Sequence, residues 1–366
     1  MSKHQPALFT PLTIRGVTLP NRIAVSPMCQ YSSEDGFASD WHFVHLGSRA
    51  AGGAGLVMTE AAAVTADGRI THADLGIYKD EHIAALSRIA GFVASQGAVP
   101  GIQIAHAGRK ASCEAPWDGG AAIAPEQPNG WQVAGPSPVP FLPGGPEPHA
   151  LTKSEIHGIV NAFATAARRA IAAGFAVIEL HAAHGYLIHE FLSPLSNFRV
   201  DEYGGAFANR VRIALETVQA IRAVIPAGMP LFLRISATDW TGGGWTIGDS
   251  VELARLVKPL GVDLIDASSG ANVHNAKMPI GPGYQTGFAA RIREDAAILT
   301  GAVGLITSPV QAETILQTGQ ADLILLAREL LRDPYFPMHA AQALGAQPST
   351  PKQYLRAFPN SVRRDF

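Results

Sequence analysis

One unit repeats along the whole sequence: a short apolar run followed by a stretch with helical periodicity. Strands that are apolar almost throughout are typical of parallel sheets covered on both faces. The eight predicted strands span residues 22–27, 55–61, 99–105, 176–182, 231–237, 262–268, 298–303 and 322–327. The eight predicted helices span residues 40–51, 80–95, 154–173, 209–225, 248–260, 288–297, 309–317 and 333–344. Eight such alternations with right-handed crossovers predict an α/β fold, a closed (β/α)8 TIM barrel.

Length and composition agree with this fold and exclude several classes of protein. The chain has 366 residues, and single barrels with insertions run from about 200 to more than 400 residues, so we predict one domain over residues 1–366. A hydrophobic fraction of 47% with 16% charged residues excludes a disordered chain. The net charge of −2 gives no electrostatic sign of binding to nucleic acid or an anionic membrane.

The termini and the cysteines indicate where the protein works. The first ten residues contain no apolar signal core, and no run of about 18 apolar residues could span a bilayer. The two cysteines, Cys29 and Cys113, cannot form a disulfide framework. We therefore expect a cytoplasmic protein.

Two segments are too long for ordinary loops between a strand and a helix. Residues 108–150 are rich in proline and glycine and follow the third strand, and residues 183–208 follow the fourth. Loops that follow strands lie at the C-terminal rim of a barrel, where barrel enzymes place their active sites. We predict that the first segment is a capping insertion over this rim and the second an extended loop beside it.

Polar residues interrupt three of the apolar strands at alternating positions. Because side chains alternate along a strand, Gln103, Glu179, His181 and Arg234 point into the barrel if their apolar neighbours face the helices. An unpaired buried polar group costs roughly 1–3 kcal/mol. These groups therefore either satisfy one another, for example as a Glu179–Arg234 ion pair, or bind a polar ligand.

A histidine pair and a tyrosine follow the fourth strand. His181 and His184 cannot share one face of a strand, so the chain must turn after His181, and Tyr186 comes two residues later. The pair could ligate a metal with a third group such as Glu179 or Glu190, donate hydrogen bonds as neutral imidazoles, or be structural. As donors they suit a carbonyl oxygen that gains negative charge, with Tyr186 as a proton donor to carbon.

Two further sites lie at strand ends. Cys29, beside Tyr31 after the first strand, is either a small core residue or a reactive group. Residues 300–304 end the seventh strand in glycines, and Arg328 follows the eighth. The loops after strands 7 and 8 are the recurrent phosphate site of TIM barrels, so we predict phosphate binding there. Neither a GxGxxG element nor a P-loop is present.

Taken together, these residues and their order resemble the Old Yellow Enzyme family of FMN-dependent ene-reductases, most closely its bacterial xenobiotic-reductase branch. The matching segments follow one another in order over nearly the whole chain. They are residues 21–23, 26–31, 52–56, 101–110, 179–187, 193–197, 203–205, 209–210, 301–304 and 328–334.

The resemblance implies a non-covalent FMN at the C-terminal mouth of the barrel. The residues that would contact the flavin ring system are Ser26, Pro27, Met28, Cys29, Ala61, Gln103 and Arg234. Those that would hold or line the phosphate are Val303, Gly304, Ala327 and Arg328.

The resemblance also implies the substrates and their binding residues. NADPH or NADH would reduce the flavin, and an electron-poor alkene would then be reduced in a ping-pong cycle. His181 and His184 would bind the activating oxygen, Tyr186 would donate a proton, and Tyr31 would be a second phenol over the pocket. Arg356, in the tail of residues 345–366, would reach the active site of a neighbouring subunit, which implies a homodimer or homotetramer.

Two departures and three rival functions accompany this interpretation. Cys29 stands where the eukaryotic branch has threonine, which implies a different redox potential, and Val303 stands where some xenobiotic reductases have tryptophan. The rivals are a metal-dependent hydrolase, a Schiff-base lyase and a non-catalytic flavin-binding barrel. The lyase would need a lysine at a strand end inside the barrel, whereas Lys110 and Lys277 lie in predicted loops.

Overall fold

A computed structural model shows eight parallel strands that close into a barrel. The structure describes residues 5–347 and 349–357. We number the barrel strands β1 (Ile23–Val25), β2 (Leu56–Ala63), β3 (Val99–Ala105), β4 (Val177–Ala182), β5 (Leu231–Ser236), β6 (Leu264–Ser268), β7 (Leu299–Ala302) and β8 (Leu323–Leu326). Each strand pairs with the next, and β8 pairs with β1 through Ile324 and Ile23. The predicted TIM barrel is confirmed, with every strand at its predicted place.

Helices cover the outside of the barrel, and short helices also lie in the segment at its C-terminal rim. They are α1 (Asp40–Ala51), α2 (His82–Ser95), α3 (Lys153–Ala172), α4 (Leu187–Leu192), α5 (Phe207–Arg210), α6 (Arg212–Arg222), α7 (Ile247–Val257), α8 (Thr286–Ala296), α9 (Pro309–Gln317), α10 (Arg328–Arg332) and α11 (Phe336–Ala343). Within residues 5–347 and 349–357, none of the helices combines the length and apolar character needed to cross a lipid bilayer.

Two predicted helices differ from the structure. The helix predicted over residues 209–225 is divided into α5 and α6 at Val211, whose ψ of −12° departs from the usual helical value of about −42°. The helix predicted over residues 333–344 begins only at Phe336, because Pro337 occupies its first turn and favours a new start there. The short helix α10 before it was not predicted.

The start of α3 illustrates how local sequence fixes an element. Thr152 precedes the helix, and its hydroxyl accepts a hydrogen bond from the Glu155 N–H at 3.3 Å. The Glu155 carboxylate accepts in turn from the Thr152 N–H at 2.7 Å. This reciprocal capping box satisfies two backbone donors that the first helical turn would leave free, so α3 begins where the sequence predicts.

Strand alternation divides the apolar core into two layers. Val177, Phe232 and Leu264 belong to a cluster inside the barrel, which a hairpin of residues 12–19 closes at the N-terminal end. Ile102 and Leu233 belong to the larger cluster between the strands and the helices. The predicted inward and outward faces of β3, β4 and β5 are therefore confirmed.

The two long segments lie on the C-terminal side of the strands. The insertion of residues 108–150 contains two 3-10 turns, Gly108–Lys110 and Pro116–Asp118, and a two-stranded pair formed by Ala134–Gly135 and His149–Ala150. The segment of residues 183–208 contains α4. Hydrogen bonds from Arg109 and Lys110 to the backbone at residues 271–272 connect the insertion to the loop after β6.

The interior layer gives a direct test of the fold. Phe232 is completely buried within it, so we expect Phe232→Ala to lower the free energy of unfolding by about 3–5 kcal/mol. Val310→Ala on α9, where the side chain is 65% exposed, should change it by less than about 0.5 kcal/mol. Urea unfolding of both variants measures the difference, and equal losses would contradict the assigned core.

Candidate active site

The floor of the mouth is a set of buried polar side chains at the ends of β3 to β6. Gln103 Nε2 donates to Glu179 Oε1 at 2.7 Å, and Arg234 Nε lies 3.1 Å from Asp266 Oδ2. All four residues are buried, as predicted for the first three. Arg234 therefore pairs with Asp266. The Glu179–Arg234 ion pair that the sequence offered as an alternative is not formed.

Burial controls the charge of this floor. Burial, followed by the nearby Asp266 carboxylate, raises the pKa of Glu179 to about 8 although Arg234 opposes the shift. At neutral pH Glu179 therefore carries a proton, since ionisation would place a second anion beside Asp266. The positive charge of Arg234 is then balanced by Asp266, and the guanidinium remains fixed at the mouth.

Some polar atoms of the floor have no partner of their own. Glu179 Oε2 and Asp266 Oδ1 in the floor, and Ser26 Oγ after β1, are buried and make no hydrogen bond among the described residues. Unsatisfied buried polar groups are rare in native proteins. The floor is thus suited to a polar ligand that supplies the missing hydrogen-bond partners.

One wall is the segment after β1. Pro27, Met28 and Cys29 are half-buried there, and Gln30 N–H donates to Glu60 Oε2 at 2.9 Å, which ties the segment to β2. A bulge in β2 brings Ala61 opposite Gln103. The structure thereby assembles the residues predicted for the ring system on adjacent strand ends.

Cys29 and Tyr31 form a pair on this wall. Burial, then Asp74 and Glu60, raise the pKa of the Cys29 thiol well above its ordinary value. The Tyr31 side chain hydrogen-bonds to the sulfur, and burial raises the pKa of the phenol. Both groups remain protonated at neutral pH and lie at the mouth, not in the apolar core.

His181, His184 and Tyr186 converge opposite that wall. His181 Nε2 and His184 Nδ1 are 3.4 Å apart, and the Tyr186 ring stands perpendicular to His181 with 5.0 Å between ring centroids. Burial, followed by the Arg234 charge, lowers the pKa of both histidines well below the usual value. Both imidazoles are therefore neutral.

Hydrogen bonds indicate how the neutral rings can act. His181 Nδ1 accepts from the Ala183 N–H at 3.2 Å, which leaves its proton on Nε2. His184 Nε2 lies 2.7 Å from Ser268 Oγ. The Ser268 hydroxyl can donate to this nitrogen or to Gln285 Oε1, 3.4 Å away. When it donates to Nε2, His184 carries its proton on Nδ1, and both rings can donate to a single oxygen.

The third group, Tyr186, has a phenol whose pKa burial raises well above its ordinary value. The Lys110 ammonium lies 5.1 Å from the centre of the Tyr186 ring and donates to the carbonyl oxygens of His184 and Ala271, at 2.8 and 3.0 Å. Burial lowers the pKa of Lys110 to about 8. Tyr186 is thus a protonated phenol beside the histidine pair.

A second region of the mouth lies at the ends of β7 and β8. A cavity of about 160 Å³ is lined by residues that include Val303, Gly304, Ala327 and Arg328. Gly304 has a φ of +119°, and a β-carbon there would lie 2.8 Å from Gln285 Nε2. The N–H groups of Gly304 and Leu305 donate to no other group in the described part of the chain. Free N–H groups beside an arginine suit an anion.

Another cavity, of about 220 Å³, lies beneath the insertion. Its lining is mostly apolar and includes Tyr31 and Lys110. Because Lys110 contacts the Tyr186 ring, the cavity adjoins the histidine–tyrosine group. Its other lining residues include Ile70, Ala111, Cys113, Phe141 and Leu142.

Comparison with known proteins identifies this arrangement. Residues 7–347 match the model of the NADH:flavin oxidoreductase / NADH oxidase family. The NADPH dehydrogenase of Geobacillus sp. (strain WCH70) is 50% identical over 96% of this chain and 98% of its own length. That of Bacillus subtilis (strain 168) is 48% identical over 96% of this chain and 99% of its own length. The chain belongs to the NADH:flavin oxidoreductase / NADH oxidase family.

Solved structures agree with this assignment. Morphinone reductase superimposes with a TM-score of 0.78 at 25% identity, over 96% of this chain and 93% of its own. A 2-naphthoyl-CoA reductase matches with a TM-score of 0.83 at 25% identity, over 93% of this chain and 52% of its own. The predicted resemblance to Old Yellow Enzymes is confirmed, and this oxidoreductase is a flavoprotein with FMN as cofactor and a nicotinamide nucleotide as reductant.

Sequence reasoning missed several residues of the flavoprotein's mouth. Asp266 and Ser268 share the inward parity of β6, so the rule that found Arg234 could have found them too. Lys110 was assigned to a loop, and the structure brings its amine to Tyr186. Gln285, whose Nε2 donates to the Val303 carbonyl at 3.0 Å, carries no sequence signal.

The remaining predictions concern metals and the tail. In the part of the chain that the structure describes, no three His, Cys, Asp or Glu side chains are grouped as metal ligands would be. Arg356 is exposed on the 3-10 turn Lys352–Ala357, and the tail from Phe358 onward lies outside the described residues.

A buried carboxyl holds the insertion of the flavoprotein in place. Glu190 Oε1 accepts from the Arg109 N–H at 2.8 Å, and burial raises the pKa of Glu190 to about 8 although Arg109 and Lys110 oppose the shift. In an unfolded chain a glutamate has a pKa of about 4.3. The folded protein therefore binds this proton more tightly than the unfolded chain does.

This difference predicts a pH dependence of stability. Between about pH 4.3 and 8 the contribution of Glu190 to stability falls as pH rises, by at most about 1.4 kcal/mol per pH unit. The glutamine of Glu190→Gln stays neutral at every pH. The free energy of unfolding of this variant should therefore rise relative to that of the parent protein between pH 5 and pH 8. Urea unfolding at several pH values measures this, with Glu252→Gln on the exposed side of α7 as control. Parallel curves for parent and Glu190→Gln would refute the assignment.

Proposed function

We propose that this oxidoreductase is an ene-reductase, which reduces the double bond of α,β-unsaturated carbonyl and nitro compounds with NADPH or NADH as reductant. One observation carries the proposal: two neutral imidazoles, 3.4 Å apart, face each other beside a protonated phenol. Two hydrogen-bond donors and a proton donor are what reduction of a polarised alkene requires.

The floor and the wall fit the cofactor. We assign the ring system to Ser26, Pro27, Met28, Cys29, Ala61, Gln103 and Arg234. The unsatisfied buried atoms Ser26 Oγ and Glu179 Oε2 support this, as does the fixed guanidinium of Arg234. We assign the phosphate to Val303, Gly304, Ala327 and Arg328. The free N–H groups and the cavity at the ends of β7 and β8 support this assignment.

The residues of the chain then have distinct roles. FMN, when bound by the floor and the wall, would supply the hydride chemistry of a ping-pong cycle between the nicotinamide and the β-carbon of the alkene. His181 and His184 bind the activating oxygen of the substrate and stabilise the negative charge that it gains. Tyr186 donates a proton to the α-carbon, and its raised pKa keeps that proton available. Tyr31 covers the pocket from the other side.

The assembly belongs to the proposal as well. We propose one FMN-binding barrel domain over residues 1–366, with Arg356 entering the mouth of a neighbouring subunit in a homodimer or homotetramer. Arg356 is exposed and makes no hydrogen bond or ion pair within the described residues, so it is available for such a contact. A cytoplasmic location remains a prediction from the sequence.

The histidine pair provides the first test. The purified protein should release a yellow chromophore, lose its colour when NADPH is added without oxygen, and regain it with cyclohexenone. The double variant His181→Ala, His184→Ala should retain the flavin. The rate at which cyclohexenone restores its yellow colour should fall by about 100-fold or more, because no donor then polarises the alkene. Stopped-flow absorbance measures both steps.

The other outcomes of this test separate the rival functions. Unchanged recovery in the double variant would remove the assigned role of the histidines. A colourless protein would favour the metal-dependent or lyase alternatives, and a yellow parent protein that NADPH bleaches but cyclohexenone does not restore would favour the non-catalytic barrel.

Tyr186 provides an independent test. Tyr186→Phe should leave reduction by NADPH unchanged and lower the rate of cyclohexenone reduction by about 10²–10⁴, the usual contribution of a general acid. Tyr203→Phe removes another phenol with a buried ring, hydrogen-bonded at 2.9 Å to Glu216, and serves as the control. Equal rates for Tyr186→Phe and the parent would show that another group supplies the proton.

A further inference from the structure

The turn between the two active-site groups has an unfavourable backbone conformation. His184 has a φ of +61° and Gly185 one of +72°, and few residues other than glycine adopt this left-handed region. At Gly185 a β-carbon would lie 2.4 Å from the Ala271 carbonyl oxygen. Because the turn sets the direction of both the His184 ring and the Tyr186 phenol, something must hold it in place.

A buried histidine that the proposed reaction does not use contacts this turn. The Gly185 N–H donates to His189 Nδ1 at 2.9 Å, and His189 is completely buried in α4. Since Nδ1 accepts a hydrogen bond, the ring proton must be on Nε2. That nitrogen lies 3.0 Å from Asp239 Oδ1.

The carboxylate of Asp239 is itself fixed. Its Oδ2 accepts from Ser193 Oγ at 2.5 Å and from the Trp245 N–H at 2.8 Å. Burial raises the pKa of Asp239, but the close contact with the His189 ring and hydrogen bonds from Ser193 and the Trp245 N–H outweigh it, so the pKa lies below the ordinary value. Asp239 is therefore an anion that holds the His189 proton on Nε2.

We propose that His189 and Asp239 are positioning residues, which fix the peptide between His184 and Gly185 and so aim His184 and Tyr186 at the substrate. This inference rests on the proposed ene-reductase function. The Asp239 carboxylate keeps the ring proton of His189 on Nε2. Nδ1 is then free to accept a hydrogen bond, and it orients the Gly185 N–H. Partners that select the tautomer and orientation of a working group commonly change activity by about 10–100-fold in metal sites.

Other contacts to the turn do not replace this one. The His184 N–H donates to Ser236 Oγ at 2.9 Å, and Lys110 Nζ donates to the His184 carbonyl at 2.8 Å. The second contact is to the opposite side of the same peptide, and Lys110 comes from the insertion. Among the described residues, only His189 binds the N–H side of that peptide.

Two nearly isosteric substitutions separate a positioning role from a merely structural one. His189→Asn and His189→Leu both remove the partner of Asp239, and the two side chains have the same number of heavy atoms and branch at the same carbon. The asparagine oxygen sits as far along the side chain as Nδ1 and can still accept from Gly185, whereas leucine cannot. We expect His189→Leu to lower the rate of cyclohexenone reduction about 10–100-fold and His189→Asn to restore much of it.

Asp239→Asn extends the test to a variant of the same size. The amide NH2 of the asparagine must point either toward His189 Nε2 or toward Ser193 and the Trp245 N–H. The second orientation is unfavourable because the Trp245 N–H cannot accept a hydrogen bond. The first orientation forces the proton of His189 onto Nδ1, facing the Gly185 N–H. We therefore expect a loss comparable to that of His189→Leu. Asp322→Asn, which removes a buried carboxylate that binds Thr300 N–H and Arg293 near the start of β7, is the matched control.

The measurements are made on the holoenzyme by stopped flow. FMN content and the rate of reduction by NADPH should stay within about 2-fold of the parent, while the cyclohexenone step slows. Equal cyclohexenone rates in His189→Asn and His189→Leu, or a full rate in Asp239→Asn, would overturn the proposal, as would equal slowing of both half-reactions. Should His189 variants not fold, Asp239→Asn decides alone. Failure of the parent to reduce cyclohexenone would instead contradict the proposed function.

Discussion

The site depends on one geometric constraint, the alternation of side chains along the strands of a closed barrel. Alternation sends Phe232 into the interior and Leu233 toward the helices, and two residues after Phe232 it sends Arg234 inward as well. Near the N-terminal end of the strands the inward residues are apolar and fill the barrel. Near the C-terminal end they are polar, and the barrel provides too few partners for them, so the same rule that builds the core also builds a ligand site.

Burial then determines the protonation state of nearly every group at the mouth. It keeps His181 and His184 neutral, keeps the proton on Tyr186, and keeps Glu179 protonated beside Asp266. The result is a cluster of neutral donors with the Arg234 guanidinium and the Lys110 ammonium nearby. The neutral donors can stabilise a negative charge that develops on a bound oxygen, which is the electrostatic condition for polarising a neutral alkene.

Backbone strain and buried polar contacts meet in the turn after β4. The left-handed conformation of His184 brings its ring back toward His181, and contacts from Ser236, Lys110 and His189 stabilise the turn from three elements. A conformation that is unfavourable by itself persists when its surroundings determine it at several points. Rigid placement of this kind suits residues that must meet a substrate in one orientation.

The sequence by itself determined the barrel, because the period of its apolar runs and the caps of its helices are local properties. It also determined that Gln103, Glu179, His181 and Arg234 face inward, because parity along a strand is local too. Only the tertiary structure decided which of these groups are partners. Arg234 contacts Asp266 from the next strand, and Lys110 reaches Tyr186 from an insertion about 75 residues away. Such pairings depend on the register between strands and on the path of loops, neither of which leaves a periodic signal in the chain.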